Sequence, residues 1–404
     1  MRNGFTRRDF LKTAGIGTAG LMVPGWLTRA LAEPAAGASG KSLVMVMLGG
    51  GNDGLNTVAP LADPLYGKAR PSLAIPKDQL LKVNDAVGFH PALRRLRDLF
   101  GEGKVSVVQN VGYPGQDRSH FRSMEIWQTG QTQGVVRDGW LGRCLECDDG
   151  TAPHSVSFGS EIPLALWADG GGVLSMENPQ AFDIATDQRH PQDRANVLRA
   201  FREIYGIPRE GPAEFVRGRG VELLAQVERI RAIAQKPPSP VAYPGTGLAQ
   251  GLRFIANAIE DGLGAKVYLI GLGGFDTHAN QRQAHANLLT VLSEALWSFQ
   301  KDLDARELSG RVLTMTFSEF GRRVAENESQ GTDHGAASPL FLMGKGVKGG
   351  VVGEAPNLEK LDQGDLTWKV DFRSVYATVL ARWLSVNPEK ALGGEFAPLE
   401  LIGG

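Results

Sequence analysis

The chain has 404 residues, of which 43 are basic and 44 acidic, and its formal net charge is −1. The near-neutral charge and the lack of a basic tract in the sequence argue against nucleic acid as a partner. Its 52 glycines cluster after apolar runs and have no fixed period, which excludes a fibrous repeat and favours tight turns at strand ends.

The first 32 residues resemble a targeting segment. Arg7-Arg8 lies in the run TRRDFLK, a Gly- and Ala-rich apolar stretch follows from Thr13 to Val23, and Ala30-Leu31-Ala32 matches a signal-peptidase site. This order predicts a twin-arginine signal peptide over residues 1–32, recognised by the Tat export machinery. We therefore expect a mature protein that begins near Glu33, crosses the inner membrane already folded, and resides in the periplasm or outside the cell.

The remaining chain, residues 33–404, is predicted to form a single domain without a permanent membrane anchor. The apolar stretch of the signal is too short and too rich in glycine to remain as a transmembrane helix, and no later stretch of the sequence is long and apolar enough. Removing residues 1–32 leaves 38 basic and 43 acidic residues, a formal net charge of −5.

Short apolar or β-branched runs alternate with long amphipathic segments, which is the pattern of an α/β protein. The predicted strands are Ser42–Leu48, Val105–Asn110, Ser155–Phe158, Lys266–Leu272, Val312–Phe317 and Leu340–Met343. The predicted helices are Pro91–Leu99, Ser119–Gln128, Pro191–Tyr205, Ala213–Gln235, Gly247–Asp261, Asn280–Leu303 and Phe372–Leu384. Several strands are almost continuously apolar, so we predict a mostly parallel central sheet with helices on both faces.

Two stretches interrupt this alternation. Gln235–Thr246 contains four prolines and is predicted to be a linker or a rigid crossover. Trp140–Arg189 is predicted to be irregular with small strands, an insertion over about residues 140–190 that caps the sheet. It contains Cys144 and Cys147, whose flanks favour a structural disulfide or two unpaired core residues over a redox motif.

Polar residues gather where predicted strands end. The loops concerned are Gly49–Gly54 (GGGNDG), Gly273–His278 (GGFDTH), Ser318–Arg322 (SEFGR) and Gly331–Gly335 (GTDHG). In open α/β sheets, ligands bind beyond the carboxyl ends of the strands. We therefore expect these loops to converge on one crevice.

The first loop also matches the dinucleotide pattern G-x-G-x-x-G through Gly49, Gly51 and Gly54. A dinucleotide site is disfavoured because Asp53 would face the pyrophosphate, and because prolines occupy the stretch where the helix should begin. The second strand also ends in Asn110 and lacks the acidic residue that would hold a ribose.

A divalent metal site explains the same loops better, since carboxylates mixed with imidazoles are donors that such a cation binds. Asp276 and His278 lie on one short turn, and His334 supplies a third donor. Asp53 and Glu319 offer two more. An isolated Asp in a turn commonly caps its own backbone, but the joint occurrence at several strand ends predicts a shared site.

Six motifs in order resemble one exported bacterial family, catalogued as domain-of-unknown-function family 1501. They are the twin-arginine signal, Gly50–Thr57 (GGNDGLNT), Arg118–Phe121 (RSHF), Gly274–His278 (GFDTH), Ser318–Arg322 (SEFGR) and Gly331–Gly335 (GTDHG). The resemblance runs from Ser42 to about Gly353. The family has no settled activity, and its fold is thought to resemble the alkaline phosphatase and sulfatase superfamily.

The superfamily resemblance implies roles for residues in the first half of the site. The metal-binding Asp after the first strand corresponds to Asp53, and the Asp and His of a later loop correspond to Asp276 and His278. The nucleophile at a helix N-terminus corresponds to Ser119, where free N–H groups and the helix dipole favour an anion.

The same resemblance extends to the loops after Phe317. Glu319 takes the place of a metal-binding Asp, while Phe320 replaces an imidazole. The run Thr332-Asp333-His334 is similar to one in the phosphopentomutase branch and adds Asp333 and His334 as candidate ligands. An alternative register aligns Asp333-His334 with the superfamily's Asp-His-Gly motif.

The resemblance thus implies two metal half-sites, of which the first holds zinc and the second, richer in oxygen donors, holds magnesium or calcium or stays empty. The first comprises Asp276, His278 and His334, and the second Asp53, Glu319 and Ser119. The implied chemistry is in-line displacement at phosphorus or sulfur. Arg118, His120 or Arg322 would stabilise the equatorial oxygens.

Two functions stay open at this point. One is an exported, metal-dependent hydrolase of phosphate or sulfate esters, acting on a small molecule or a polysaccharide. The other is a non-catalytic binding or assembly protein of the cell envelope that keeps the fold with a degraded metal site. Phe320 favours the second function, whereas Asp53, Ser119 and the three later ligands favour the first.

Overall fold

The computed structural model describes residues 40–146, 154–168, 172–182, 191–210 and 212–403. The predicted signal peptide and Cys147 lie outside these residues. Within the described part of the chain, no helix has the length and apolar character needed to cross a membrane.

The described chain alternates strands and helices. The strands are β1 (Ser42–Gly49), β2 (Val58–Pro60), β3 (Leu81–Lys82), β4 (Val87–Phe89), β5 (Val105–Gly112), β6 (His154–Phe158), β7 (Gly172–Met176), β8 (Ala265–Gly273), β9 (Val312–Phe317), β10 (Ser338–Met343), β11 (Gly350–Val352), β12 (Leu361–Asp362), β13 (Asp365–Leu366) and β14 (Val370–Asp371). The helices are α1 (Gly54–Thr57), α2 (Pro64–Ala69), α3 (Arg94–Gly101), α4 (His120–Thr129), α5 (Trp140–Glu146), α6 (Pro191–Gly206), α7 (Pro212–Ala234), α8 (Gly247–Glu260), α9 (Gln281–Ala305), α10 (Phe372–Thr378) and α11 (Pro388–Leu392).

Among the described residues, nine strands form a central sheet in the order β11-β5-β10-β9-β1-β8-β6-β7, with β14 also paired to β5. The innermost strand β1 is parallel to β8, from Leu43 opposite Val267 to Gly49 opposite Gly273. It is parallel to β9 on its other side. Only β10 runs against its neighbours in the described sheet, which confirms the predicted mostly parallel arrangement.

Successive side chains of β1 point to opposite faces of the sheet, and both faces are covered. Val44 and Val46 are buried in one core with α3, α8 and α9. Leu43 and Met45 are buried in the other with α4, α5, α10 and α11. Full burial of each such side chain contributes roughly 1.5–3 kcal/mol, which explains why the strand is apolar on both sides.

The six strands predicted from the sequence all lie within observed strands, and the long helices agree within a few residues. Two predicted helices are subdivided. Pro91–Leu93 forms a 3-10 turn before α3, and Val379–Leu384 continues α10 as a π-helix.

The stretch from Trp140 to Arg189 contains short strands, as the sequence predicts, and also a helix. Its described residues include α5 and the parallel pair β6 and β7. Because β6 pairs with β8, this stretch extends the central sheet at its edge. Cys144 is buried on α5, and the choice between a disulfide and two unpaired cysteines involves Cys147, which lies outside the described residues.

The directions of the strands determine where the polar loops lie. Since β10 is antiparallel to both β5 and β9, β5 runs in the same direction as β1, β8 and β9. The carboxyl ends of these four strands therefore meet at one edge of the sheet, where the polar loops follow.

Candidate metal centre

The loop after β1 is shaped by glycine and by the side chain of Phe320. Gly50 and Gly51 have positive φ angles of 113° and 79°. A Cβ atom on Gly51 would lie 2.3 Å from Cε2 of Phe320, so this backbone can approach the ring only as glycine. Phe320 is fully buried and its ring centroid lies 4.9 Å from that of His120 and 4.6 Å from that of His334. The ring of Phe320 thus provides an apolar surface against which two imidazoles pack.

Asp276, in the loop after β8, lies at the centre of the polar cluster. Its side chain is 47% exposed and accepts a 2.7 Å hydrogen bond from Arg322. Partial burial raises the pKa of Asp276, but the hydrogen bonds from Arg322 and His334 outweigh that effect and lower the pKa to about 2. The carboxylate is therefore ionised at any ordinary pH.

Three imidazoles direct their Nε2 atoms towards this carboxylate. Nε2 of His278 lies 3.0 Å and Nε2 of His334 3.2 Å from Oδ1 of Asp276. Nε2 of His120 lies 3.5 Å from Oδ2 of the same residue. The Nε2 atoms of His278 and His334 are only 2.9 Å apart.

The Nδ1 atom of each imidazole forms a second hydrogen bond, on the side of the ring that faces away from Asp276. His120 bonds to Oε1 of Glu319 at 2.9 Å, and His278 bonds to Oδ1 of Asp333 at 3.1 Å. His334 bonds to the carbonyl oxygen of Arg118 at 2.8 Å. Because all three of these partners are acceptors, an imidazole that bound a cation through Nε2 would keep its proton on Nδ1. Histidine ligands of metals are oriented in this way.

The donor set fits a divalent cation. Donor atoms of His120, Asp276 and His334 all lie within 4.8 Å of one another. Direct zinc ligands lie about 2 Å from the ion, so two ligands of a tetrahedral site are roughly 3.3 Å apart. The facing lone pairs of His278 and His334 would repel each other unless a cation or a proton lay between them. Three nitrogens and one carboxylate suit zinc or a related transition metal better than magnesium or calcium.

Arg322 braces the loops from within, which corrects its expected role at the equatorial oxygens. The side chain is buried, and its guanidinium donates to the carbonyl oxygens of Gly51 and Thr332 at 2.7 and 2.8 Å. It also bonds to Gly50, Phe275 and Asp276. These contacts join the loops after β1 and β8 to the segment that carries His334.

Asp53, which the sequence proposes as a metal ligand, lies outside the group of donor residues around Asp276. The residue is fully buried, and its Oδ2 atom forms a 2.6 Å ion pair with Arg70, which is equally buried. Its Oδ1 atom accepts from the amide of Asn56 and caps α1. Burial raises the pKa of Asp53, but the Arg70 charge and the hydrogen bonds from Arg70 and Gln281 lower it overall.

The expected second half-site is therefore not assembled among the residues that the structure describes. Glu319 is buried and uses Oε1 to accept from the amide of Gly50 and from His120. Ser119 is the N-cap residue of α4 and is exposed, but its hydroxyl does not cap the helix. The carboxylate of Asp53 forms an ion pair with Arg70.

The remaining candidates take different places from those expected. His120 belongs to the cluster itself, where its Nε2 atom can serve as a ligand. The Arg118 guanidinium bonds to Asp365 at 2.5 and 2.9 Å, and only its carbonyl oxygen contacts the cluster. Asp333 supports His278 from behind through Nδ1. Hydrogen bonds from Asn327 and His278 lower the pKa of Asp333.

Arg70 and Gln281 are functional candidates that the sequence motifs do not include. Gln281 accepts at Oε1 from the hydroxyls of Thr277 and Thr332, at 3.0 and 2.6 Å, and donates through Nε2 to Asp53. These threonines adjoin the ligand residues of two loops. The only hint in the sequence is that Gln281 lies three residues after His278, at the start of a long helix.

A family model described as "Protein of unknown function (DUF1501)" matches residues 40–392. A search of curated proteins finds no match to the chain.

Solved structures with a similar architecture include a sulfatase, a phosphonate monoester hydrolase and a protein in the alkaline phosphatase superfamily. The PsFucS1 sulfatase from Pseudoalteromonas sp. is 11% identical, with 98% of this chain and 75% of that chain covered and a TM-score of 0.41. The phosphonate monoester hydrolase SpPMH from Silicibacter pomeroyi is 12% identical, with 88% and 76% covered and a TM-score of 0.36. A protein in the alkaline phosphatase superfamily from Vibrio parahaemolyticus is 9% identical, with 78% and 63% covered and a TM-score of 0.37.

Proposed function

The chain belongs to the family described as protein of unknown function (DUF1501), and we propose that it is an exported, metal-dependent hydrolase of phosphate or sulfate esters. One observation carries the proposal. Three imidazole Nε2 atoms lie within 3.5 Å of an oxygen of the ionised Asp276 carboxylate, while each Nδ1 atom contacts an acceptor. The export part of the proposal rests on the signal predicted for residues 1–32.

The ligands in this proposal are Asp276, His278, His334 and His120. A bound divalent cation would lower the pKa of a coordinated hydroxyl or water and offset charge that develops on the ester oxygens. Glu319 and Asp333 hold two of the imidazoles in the required tautomer. The site is expected to prefer zinc because nitrogen donors outnumber oxygen donors.

Ser119 is the proposed nucleophile. It adjoins His120 at the N-terminus of α4, and its exposed hydroxyl is not used as a helix cap. The backbone amide of Ser119 instead donates to Oδ1 of Asp117 at 2.7 Å, which fixes the turn before the helix. A neutral serine is a weak nucleophile and depends on the neighbouring site for activation.

Metal analysis and turnover test the proposal together. We expect protein purified from the periplasm to contain close to one equivalent of zinc by mass spectrometry, and the Asp276→Asn and His278→Ala variants to lose it. The zinc-loaded protein should release phosphate or sulfate from aryl esters. A protein that stays metal-free in the presence of zinc would contradict the proposal.

The Ser119→Asp variant distinguishes a role of Ser119 as the nucleophile from a role as the N-cap of α4. Asp is a good N-cap residue, so folding should be retained, and zinc binding should persist because Ser119 is not a ligand. If Ser119 is the nucleophile, turnover is lost. Turnover at the wild-type rate would assign Ser119 to the helix terminus alone.

A second function, a non-catalytic envelope protein that binds an anionic ligand, is favoured by one specific contact. Arg70 occupies the carboxylate of Asp53, so that only one metal cluster is complete among the described residues. Zinc binding without hydrolysis of any phosphate or sulfate ester would support this alternative.

A further inference from the structure

The solvent face of α4 carries an apolar side chain beside the metal centre. The core face of this helix is formed by Ser123, Ile126 and Trp127, which are buried. Phe121 lies outside that face and is 91% exposed. Helical periodicity calls for a polar residue at such a position, so the phenylalanine is not explained by the packing of the helix.

Phe121 borders a pocket of about 360 Å³. His120 and Glu319 form one end of the pocket, and Phe121, Met124 and Leu164 supply apolar walls. Residues 121, 124 and 128 repeat at helical spacing, so one stripe of α4 lines the pocket. Because His120 faces both the pocket and Asp276, the pocket opens directly beside the metal centre.

A hydrogen bond joins the two chain segments that line the pocket. Oε1 of Gln128 accepts from the amide of Ala165 at 3.0 Å, which ties the turn that carries Leu164 to α4. At the rim, Arg122 and Glu125 form an ion pair of 2.7 Å, so their charges offset each other. Away from His120 and Glu319 the lining is therefore mainly apolar, and the volume lies at the lower end of the range for small-ligand sites.

We propose that this pocket binds the organic group of the ester, and that this group is an apolar ring stacked on Phe121. The inference rests on the proposed function, since it assumes that the phosphoryl or sulfuryl group lies at the metal centre. A ring placed in the pocket would remain next to His120. Exposed aromatic surface gains most from a planar apolar partner, whereas a highly charged group would find its charge unmatched there.

Binding of two non-hydrolysable ligands tests the pocket without turnover. Phenylphosphonate and methylphosphonate share the oxyanion and differ in the ring. By calorimetric titration of the zinc-loaded protein, we expect phenylphosphonate to bind about tenfold more tightly, the usual effect of filling a small apolar pocket. Phe121→Ala should remove most of this preference. Val135→Ala, which also truncates a strongly exposed apolar residue (88%) but lies outside the pocket, should preserve it.

The outcomes separate the two proposals. Equal affinities for the two phosphonates, or an unchanged preference in Phe121→Ala, would overturn the pocket and leave the hydrolase proposal standing. If neither phosphonate binds, the hydrolase proposal fails. Binding of phenol, measured by ligand-observed NMR, then tests the pocket on its own. Phenol binding that disappears in Phe121→Ala would support the pocket, and no phenol binding in the wild type would overturn it.

Discussion

Two carboxylates that follow neighbouring strands have opposite environments. Asp53 comes after β1 and is fully buried, with a 2.6 Å ion pair to Arg70. Asp276 comes after β8, is about half exposed, and is surrounded by three imidazoles. Both have a lowered pKa and both contact a buried arginine, Arg70 in the first case and Arg322 in the second. They differ in exposure, since Asp53 is enclosed whereas Asp276 is open to a cation from solution. A lowered pKa alone therefore does not distinguish a structural carboxylate from a ligand.

The two regions are connected, so one can be expected to influence the other. Gln281 donates to Asp53 and accepts from Thr277 and Thr332, which adjoin the ligand residues. The buried ion pair thus supports the loops of the exposed cluster. Variants in each region should affect different properties, stability in one and metal affinity in the other.

The largest effect is expected from Arg70→Met. This change leaves Asp53 buried without its cation, which should lower the free energy of unfolding by about 3–5 kcal/mol. Urea denaturation of the metal-free protein measures the loss. Adding Asp53→Asn should recover part of it, because the uncompensated charge is then removed.

An exposed ion pair provides the matched control. Arg202 and Glu228 are paired at the surface, with both side chains more than half exposed, so Arg202→Met should cause no measurable loss. Equal losses for Arg70→Met and Arg202→Met would contradict the structural role of the buried pair.

The pH dependence of stability gives the next largest effect. Burial lowers the pKa of His285 to about 4, although the Asp53 charge acts in the opposite direction. Between an ordinary value near 6.5 and about 4, the unfolded chain binds a proton that the folded protein does not, so stability falls as the pH falls. One such proton contributes about 1.4 kcal/mol per pH unit, or roughly 3 kcal/mol across this window.

His285→Gln should remove that contribution, since glutamine can still donate to Asn52 as the Nε2 atom of His285 does at 3.0 Å. Denaturation of the metal-free variant at several pH values measures the slope. The prediction is wrong if the slope between pH 6.5 and 4 is the same as in the wild type.

Gln281→Glu should have an intermediate effect. The new carboxylate can still accept from Thr277 and Thr332, but it faces Asp53 in a buried site, and we expect a loss of about 2 kcal/mol at pH 7. The repulsion raises the pKa of the introduced Glu, so the loss should shrink as the pH is lowered and this group is protonated. Gln283→Glu, exposed on the same helix, is the control and should be neutral. A loss that does not vary with pH would argue against the repulsion.

The smallest effect is expected from Asp333→Asn, which weakens the partner of His278 and leaves the ligands in place. Zinc affinity, measured by competition with a chelator, should fall about tenfold, equivalent to about 1.4 kcal/mol. Glu328→Gln removes an exposed charge from the same loop and should leave the affinity unchanged. If the two variants bind zinc equally well, the hydrogen bond between Asp333 and His278 does not orient a ligand.

The sequence by itself determined the α/β class, the six buried strands, most helices, and the loops that carry Asp276, His278 and His334. Those features follow from local periodicity and from the rule that parallel strands present their carboxyl ends at one edge. Strand β7 was not predicted because its sequence is short and irregularly apolar, and its membership in the sheet depends on pairing with β6.

Only the tertiary structure decided which of the candidate side chains share a site. Asp53 is removed from it by Arg70, and His120 is brought into it by Glu319, 199 positions away in the chain. Arg322 looks like an anion-binding residue in the sequence, yet packing turns its guanidinium onto backbone carbonyls of three loops. A charged side chain binds whichever partner the fold places beside it, and burial makes that pairing obligatory because an unpaired charge is costly in the interior. Sequence motifs report the residue types at strand ends, whereas long-range packing determines their partners.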